Sequence, residues 1–331
     1  CGNYNMIFAN FMGGVAMHRL IAIFIIIVAL LVGCSTTNNP QNAEENQNTA
    51  TNFQTIYPVT VIDDIGQNVT LSAKPKRVIS LLPSSTEILC ALGQDPIAVT
   101  QWDDYPEYIK EKVEFIFQDP LNPNFEQIIS LQPDLILYYK SSAEDLNKVK
   151  SLGIPVAVFE ATDIAGVYQN IEKIGVLTDS QERAEQLIKQ MQAKQKSIEE
   201  KVTKLSEKEK RRVWLELDNT LYTAGKGTFL DELITKAGGI NIADDIQGWG
   251  QFNSEQVIAR NPDVILETYS YMENKVVENI KKRQGWQNIE AIKSNRVFSL
   301  DSNIISRQGP RIIDGLELMA KTIYPELFKQ E

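Results

Sequence analysis

At 331 residues, with 43% apolar and 23% charged side chains, the chain has the size and composition of an ordinary globular protein, enough for one large domain or two lobes. Its formal charge is −10, and Arg19 is the sole charged side chain of the first 33 residues, so the remainder sets 32 basic against 43 acidic groups and argues against a nucleic-acid partner. The single histidine, His18, lies in that leading stretch, so everything after it lacks an imidazole base, a His-based triad and a His metal ligand.

In chain order, the first element is an apolar run of 14 residues, Leu20 to Gly33, preceded by His18-Arg19. A membrane span needs roughly 18 or more apolar residues, so this run suits the core of an export signal. Residues 1–33 are read as a signal peptide, with 1–16 upstream of the expected start at Met17. The run ends Leu31-Val32-Gly33-Cys34, which resembles the lipobox of bacterial lipoproteins and so implies lipid attachment at Cys34. Residues 34–57 are rich in Asn, Gln and Thr and read as a flexible tether. An extracytoplasmic domain held to the membrane by the lipid on Cys34 follows.

Residues 58–178 form the expected N-terminal lobe. Arg77-Val-Ile-Ser-Leu-Leu reads as a strand leading through Pro83-Ser-Ser-Thr-Glu into a helix, with Ser84 and Ser85 as its caps. Cys90 in the apolar stretch Glu87-Ile-Leu-Cys-Ala-Leu reads as a buried free thiol. Residues 179–211 contain no Pro or Gly and place Ala184, Leu187, Ile188, Met191, Ile198 and Val202 near helical spacing. They predict a linking helix roughly 40 Å long. Residues 212–331 form the C-terminal lobe, opening on the strand Arg212-Val-Trp-Leu-Glu-Leu.

The two lobes repeat one another. Asn124 to Leu137 matches Asn253 to Leu266 without a gap, with eight of 14 positions identical. Each copy reads as a capped helix, a Pro-Asp turn and a buried strand. Strands alternating with helices imply parallel βαβ units. The expected fold is therefore α/β: two similar lobes with parallel sheets, joined by one rigid helix, with a ligand cleft between them.

The sequence resembles the helical-backbone substrate-binding proteins of ABC importers for metal chelates. The stretches that carry the resemblance are Pro75-Lys-Arg-Val-Ile-Ser-Leu-Leu-Pro-Ser-Ser-Thr-Glu, Trp102-Asp-Asp-Tyr-Pro-Glu, Asn122-Pro-Asn-Phe-Glu, Leu131-Gln-Pro-Asp-Leu-Ile-Leu and Arg307-Gln-Gly-Pro-Arg. It runs from about Val59 to Pro325 and is nearest to the vitamin B12-binding component, mainly through Ser-Ser-Thr-Glu and Asp-Asp-Tyr-Pro. It implies a protein that is not an enzyme, monomeric when free. By the same resemblance cobalamin is the expected transported ligand rather than a cofactor, and a permease dimer with ATPase subunits the expected partner.

A flat macrocycle favours aromatic walls on loops at strand ends. Trp102 follows the strand Ile97-Ala-Val-Thr, Tyr139 follows Leu135-Ile-Leu, Tyr222 follows Val213 to Leu217, and Trp249 stands between glycines. The resemblance places ligand-facing residues at Trp102, Tyr139, Trp249, Asn303 and Arg307. Trp214 and Trp286 are read as packing, and Arg311 as a structural residue at a helix start. Glu126 and Glu255 occupy equivalent first-turn positions in the two repeats, where the helix dipole alone favours a carboxylate. The resemblance makes them permease-docking residues, one per lobe. Haem held by Tyr139 or Tyr105 is the nearest alternative ligand, followed by a ferric siderophore. An extracellular enzyme using Ser84 or Ser85 has neither a Gly-x-Ser-x-Gly turn nor a histidine to activate it.

Overall fold

The structure is a computed structural model that describes residues 53–329. The expected signal segment, Cys34 and the tether up to residue 52 lie outside the described residues. The end of the segment expected as tether belongs to the folded body. The buried Thr55 donates its amide to Asp179 Oδ1 (2.8 Å) and its hydroxyl to the Val176 carbonyl (2.8 Å), and Tyr57 donates to the Leu177 carbonyl (2.9 Å).

The N-terminal lobe opens with an antiparallel hairpin, β1 (Val59–Ile62) and β2 (Asn68–Leu71). It continues through β3 (Val78–Ser80), α1 (Pro83–Ala91), β4 (Ala98–Thr100), α2 (Ile109–Lys112), β5 (Phe115–Phe117) and α3 (Phe125–Ser130). β6 (Leu135–Tyr138), α4 (Ala143–Lys150), β7 (Val156–Val158) and α5 (Ile164–Leu177) complete it. Its sheet runs β5-β4-β3-β6-β7, parallel throughout. The central strands are short apolar runs buried along their length, as a sheet covered on both faces requires.

The linking helix α6 (Gln181–Val202) buries Ala184, Met191, Ile198 and Val202. It is shorter than the expected 179–211, because the chain turns at Ser206–Glu209, where Glu209 accepts bonds from the amide and hydroxyl of Ser206. At 1.5 Å per residue its 22 residues span roughly 33 Å. A Cβ on Gly175 of α5 would lie 2.7 Å from Ala184 Cβ, so only glycine lets α5 and α6 pack this closely.

The C-terminal lobe follows the same plan: β8 (Arg212–Glu216), β9 (Tyr222–Ala224), α7 (Phe229–Lys236), β10 (Ile240–Asn241), β11 (Trp249–Gln251) and α8 (Ser254–Arg260). Next come β12 (Val264–Glu267), α9 (Val276–Lys281), α10 (Glu290–Lys293), β13 (Val297–Ser299), α11 (Ser302–Ser306) and α12 (Ile312–Ile323). Its parallel sheet runs β10-β8-β12-β13, and β9 with β11 form a separate antiparallel ribbon. Lys194 of α6 pairs with Asp314 and Glu317 of α12 at 2.6 and 2.7 Å, and Glu199 pairs with Lys236 of α7 at 3.1 Å. One apolar core continues from the first hairpin through α5 and α6 into α7 and α12. The linking helix is thus packed into both lobes.

The repeat has a physical basis. Asn124 and Asn253 cap α3 and α8 by accepting from the Gln127 and Gln256 amides at 3.1 and 2.9 Å. Gln256 Oε1 in turn accepts from the Asn253 amide, completing a capping box in the second copy. Asp134 accepts from the amides of Lys76 and Arg77, and Asp263 from that of Arg212. Each Pro-Asp turn therefore clamps the arginine that begins the central strand of its own lobe. The serines of α1 behave differently from expectation. Pro83 occupies the first helical position, and Leu82, at the cap, offers no side-chain bond. Ser84 and Ser85 are buried inside the first turn and cap nothing, and Ser85 Oγ has no partner among the described residues.

Candidate functional site

In each sheet the strand order reverses beside the first strand, between β3 and β6 and between β8 and β12. Crevices at the carboxyl ends of parallel strands next to such a reversal are where α/β sheets bind ligands. The loops that leave these ends carry the candidate residues.

On the N-terminal side, β4 runs into Gln101-Trp-Asp-Asp-Tyr. Asp103 is 1% exposed, and its Oδ2 accepts from the Thr100 amide (2.8 Å) and hydroxyl (2.6 Å). This inward turn leaves its neighbours outside, with Trp102 48% exposed and Asp104 exposed. Asp103 Oδ1 has no partner among the described residues. Burial raises the pKa of this carboxyl, against the lowering effect of the Thr100 bonds. A raised folded-state pKa means the ionised form opposes folding at neutral pH. That cost is relieved as pH falls toward the ordinary value of 3.8 and the native state takes up the proton first. Asp103→Asn, which keeps the two Thr100 bonds, is therefore expected to be more stable than wild type in urea unfolding near pH 7. The difference should shrink near pH 4; a variant less stable at neutral pH contradicts this assignment.

On the C-terminal side, β13 leads into α11, capped by Asp301, which accepts from the Asn303 amide at 2.8 Å. Asn303 and Arg307 then reach across to the N-terminal lobe. Asn303 Nδ2 donates to Asp104 Oδ2 at 2.8 Å. Arg307 donates to Asp104 Oδ1, to the Trp102 carbonyl (2.8 Å), to Asn303 Oδ1 (3.0 Å) and to Glu87 Oε1 (3.2 Å). Arg311, at the start of α12, makes two bonds to the Glu87 carboxylate (3.0 and 2.6 Å) and lies 4.1 Å above the Tyr105 ring. Its expected structural role stands, and it also joins the lobes. Glu87 is 2% exposed. Two arginines and two carboxylates thus form a charge-balanced cluster across the lobe boundary.

Trp249 and Tyr222 lie on the ribbon β11–β9 with rings stacked at 12° and centroids 6.5 Å apart. They are 51% and 38% exposed, an apolar wall with nothing described upon it. Gly248 has φ +73°, where any side chain is strained, and a Cβ on Gly250 would press on the tip of Ile246. Tyr139 stands at the end of β6, half-buried, its ring 4.4 Å from that of Tyr138 and its hydroxyl donating to the Leu121 carbonyl at 3.0 Å. The structure therefore brings Trp102, Asn303 and Arg307 together and pairs Tyr222 with Trp249, while Tyr139 sits on a separate loop of the N-terminal sheet. Trp214 and Trp286 are fully buried, as read. Glu126 and Glu255 are exposed in the first turns of α3 and α8, and no ion pair among the described residues uses either. Cys34 lies outside the described residues.

Two participants are absent from the sequence reading. Asp104 and Glu87 balance the arginines. Tyr271 and Met272, 74% and 61% exposed, lie on the loop after β12. Glu267 pins the start of that loop by accepting from the Tyr269 and Ser270 amides, Tyr269 donates to Glu216 at 2.6 Å, and Asn219 bonds Glu273 at 2.5 Å. Their position past a strand's carboxyl end was the available signal. A cavity of about 370 Å³ adjoins the arginine cluster against α6, with Glu87, Cys90, Tyr105, Met191 and Arg311 in its lining. Cys90 is half-buried there rather than in the core, its thiol pushed up to about 12 by burial and so protonated at neutral pH.

Residues 78–304 match the family described as periplasmic binding protein. A Bacillus subtilis (strain 168) protein called an uncharacterized ABC transporter substrate-binding lipoprotein is 36% identical over 318 residues, 93% of this chain and 98% of that protein. A vitamin B12-binding protein of Salmonella paratyphi A (strain ATCC 9150 / SARB42) is 32% identical over 249 residues, 74% of this chain and 88% of that protein. Among solved structures, a possible iron-binding (periplasmic solute-binding) protein from Staphylococcus epidermidis ATCC 12228 is 36% identical with a TM-score of 0.68, covering 76% of this chain and 100% of that one. With matching sequence over most of its length and the same two-lobed α/β architecture, the chain belongs to the periplasmic binding protein family, the substrate-binding proteins of ABC transporters.

Proposed function

We propose that the chain binds cobalamin in the cleft between its lobes and delivers it to an ABC permease, held at the extracytoplasmic membrane face by a lipid on Cys34. The observation that carries the choice of ligand is the combination of exposed aromatic walls with arginines that are already neutralised. Trp102 on one lobe and the Tyr222–Trp249 pair on the other offer flat apolar surface to a macrocycle. Arg307 and Arg311 are both paired with carboxylates, which disfavours haem propionates and anionic siderophores. A corrin ring edged with neutral amides needs no free cation and brings its own axial base, which suits a mature chain without histidine. Haem ligation by tyrosine has less support: Tyr139 donates its hydroxyl to a carbonyl, and the Tyr105 ring lies under Arg311. The relatives described as vitamin B12-binding proteins support the same reading.

Calorimetric titration of the protein with cyanocobalamin, haemin and a ferric hydroxamate tests it. Saturable binding of cyanocobalamin in preference to the others is the expected result. A preference for haemin or the hydroxamate overturns the ligand, and transport stays to be explained by that cargo.

Glu126 and Glu255 are the proposed docking charges. A pseudo-symmetric protein that meets a two-fold permease needs an equivalent contact on each lobe, and these residues are exposed, unpaired by any described cation and equivalent in the repeat. Glu126→Lys with Glu255→Lys is expected to lower permease-dependent uptake at least tenfold while cargo affinity in titration stays unchanged. Undiminished uptake refutes the docking role.

A further inference from the structure

Asp104 does more than complete a hydrogen-bond network. We propose that Asp104 sets the charge specificity of the cleft: its carboxylate occupies the cleft-facing side of Arg307 and so excludes cargo that carries carboxylates. This rests on the reading of the cleft as a macrocycle site, but the charge filter can be measured apart from the identity of the cargo.

The geometry carries the inference. Arg307 spreads its donors over Asp104, Glu87, Asn303 and the Trp102 carbonyl. Glu87 is buried and holds Arg311 as well, so its carboxylate is committed to the two arginines. Asp104 is half exposed, with its side chain at 48% against 13% for Arg307. It therefore stands between the guanidinium and the open cleft beside Trp102. The other oxygen of Asp104 is bound by Asn303, which fixes the carboxylate in that place. With Glu87 and Asp104 against Arg307 and Arg311, the cluster is neutral. Removing the Asp104 charge makes the cluster more positive by one unit and takes the exposed carboxylate from Arg307 Nη1, so an incoming carboxylate meets an uncompensated guanidinium charge. An incoming carboxylate in the native protein meets the opposite: a like charge at the entrance and no unpaired donor. Trp102 and the Tyr222–Trp249 pair accept flat rings of either kind, so apolar contact alone does not separate a corrin from a porphyrin dicarboxylate. Asp104 supplies that discrimination.

The test is titration of the full chain with haemin, whose two propionates probe for a free cation, and with cyanocobalamin. Asp104→Asn keeps the side-chain shape and Asp104→Ser is a second charge-removing variant; Asp104→Glu keeps the charge. Haemin affinity is expected to rise about tenfold in the Asn and Ser variants relative to wild type, and the gain should fall away at 1 M salt. It should vanish when Arg307→Gln is added to Asp104→Asn, and it should be absent in Asp104→Glu. Haemin affinity that is unchanged or lower in both charge-removing variants overturns the proposal, as does an equal gain in Asp104→Glu. If wild type fails to bind cyanocobalamin, the cobalamin reading falls; a tenfold haemin gain on removing the Asp104 charge still supports the filter.

Discussion

Replacing Trp249 with alanine is expected to weaken cobalamin binding by about 2–3 kcal/mol, roughly 30- to 150-fold in Kd. Trp249 is 51% exposed. Covering that half of a large aromatic removes on the order of 100 Å² from water, which at about 25 cal/mol per Å² contributes about 2.5 kcal/mol. The ring is also held ready: Gly248 and Gly250 let the ribbon turn tightly over Ile246, and Tyr222 stacks behind it, so little ordering remains to be done on binding. Trp249→Phe retains a flat face and should lose less than half as much. Because the side chain is exposed, the melting temperature of Trp249→Ala should stay within about 2 °C of wild type. A Kd within threefold of wild type in Trp249→Ala means the ribbon is not a wall of the site.

How far such a site can be read in advance depends on the range of the interaction that builds it. Trp102 and Trp249 stood out because their sequence neighbours are Asp, Gln and Gly, which cannot bury a tryptophan. The repeat was legible for a similar reason: its cap and its Pro-Asp turn are local, and the structure shows both copies bonding as local chemistry dictates. The arginine cluster was not legible. Arg307 meets Asp104 and Glu87 across 203 and 220 residues, and nothing in the spacing of single charges announces such a partner. Ser84 and Ser85 were misread because a serine before an apolar run suits a cap, yet Pro83 already begins the helix and carries both into the interior. The tether was drawn too long because Thr55 and Tyr57 are held by acceptors at the α5–α6 turn, some 120 residues away. Tyr271 and Met272 are exposed on a loop that Glu267, Glu216 and Asn219 hold by side-chain bonds.

Glu87→Gln is expected to cost about 3 kcal/mol of stability and to lower the melting temperature by roughly 6–12 °C. The carboxylate is buried and is shared by two arginines whose side chains are 13% and 17% exposed. An amide of the same shape leaves Arg307 with Asp104, but Arg311 loses both charged bonds and keeps the Tyr105 ring as its neighbour. Removing one partner from a buried ion pair strands the other, which is why the loss exceeds that of a surface pair. Asp245→Asn, which breaks the exposed pair with Arg260, supplies the contrast and should move the melting temperature by no more than about 2 °C. Equal small effects in the two variants mean that Glu87 is not the joint between the lobes. Both Glu87→Gln and Asp104→Asn raise the cluster to +1, yet they differ in where the charge is removed. Glu87 is buried and shared by both arginines, so its loss falls on folding and on the seam between the lobes. Asp104 stands in front, so its loss falls on which cargo the cleft accepts.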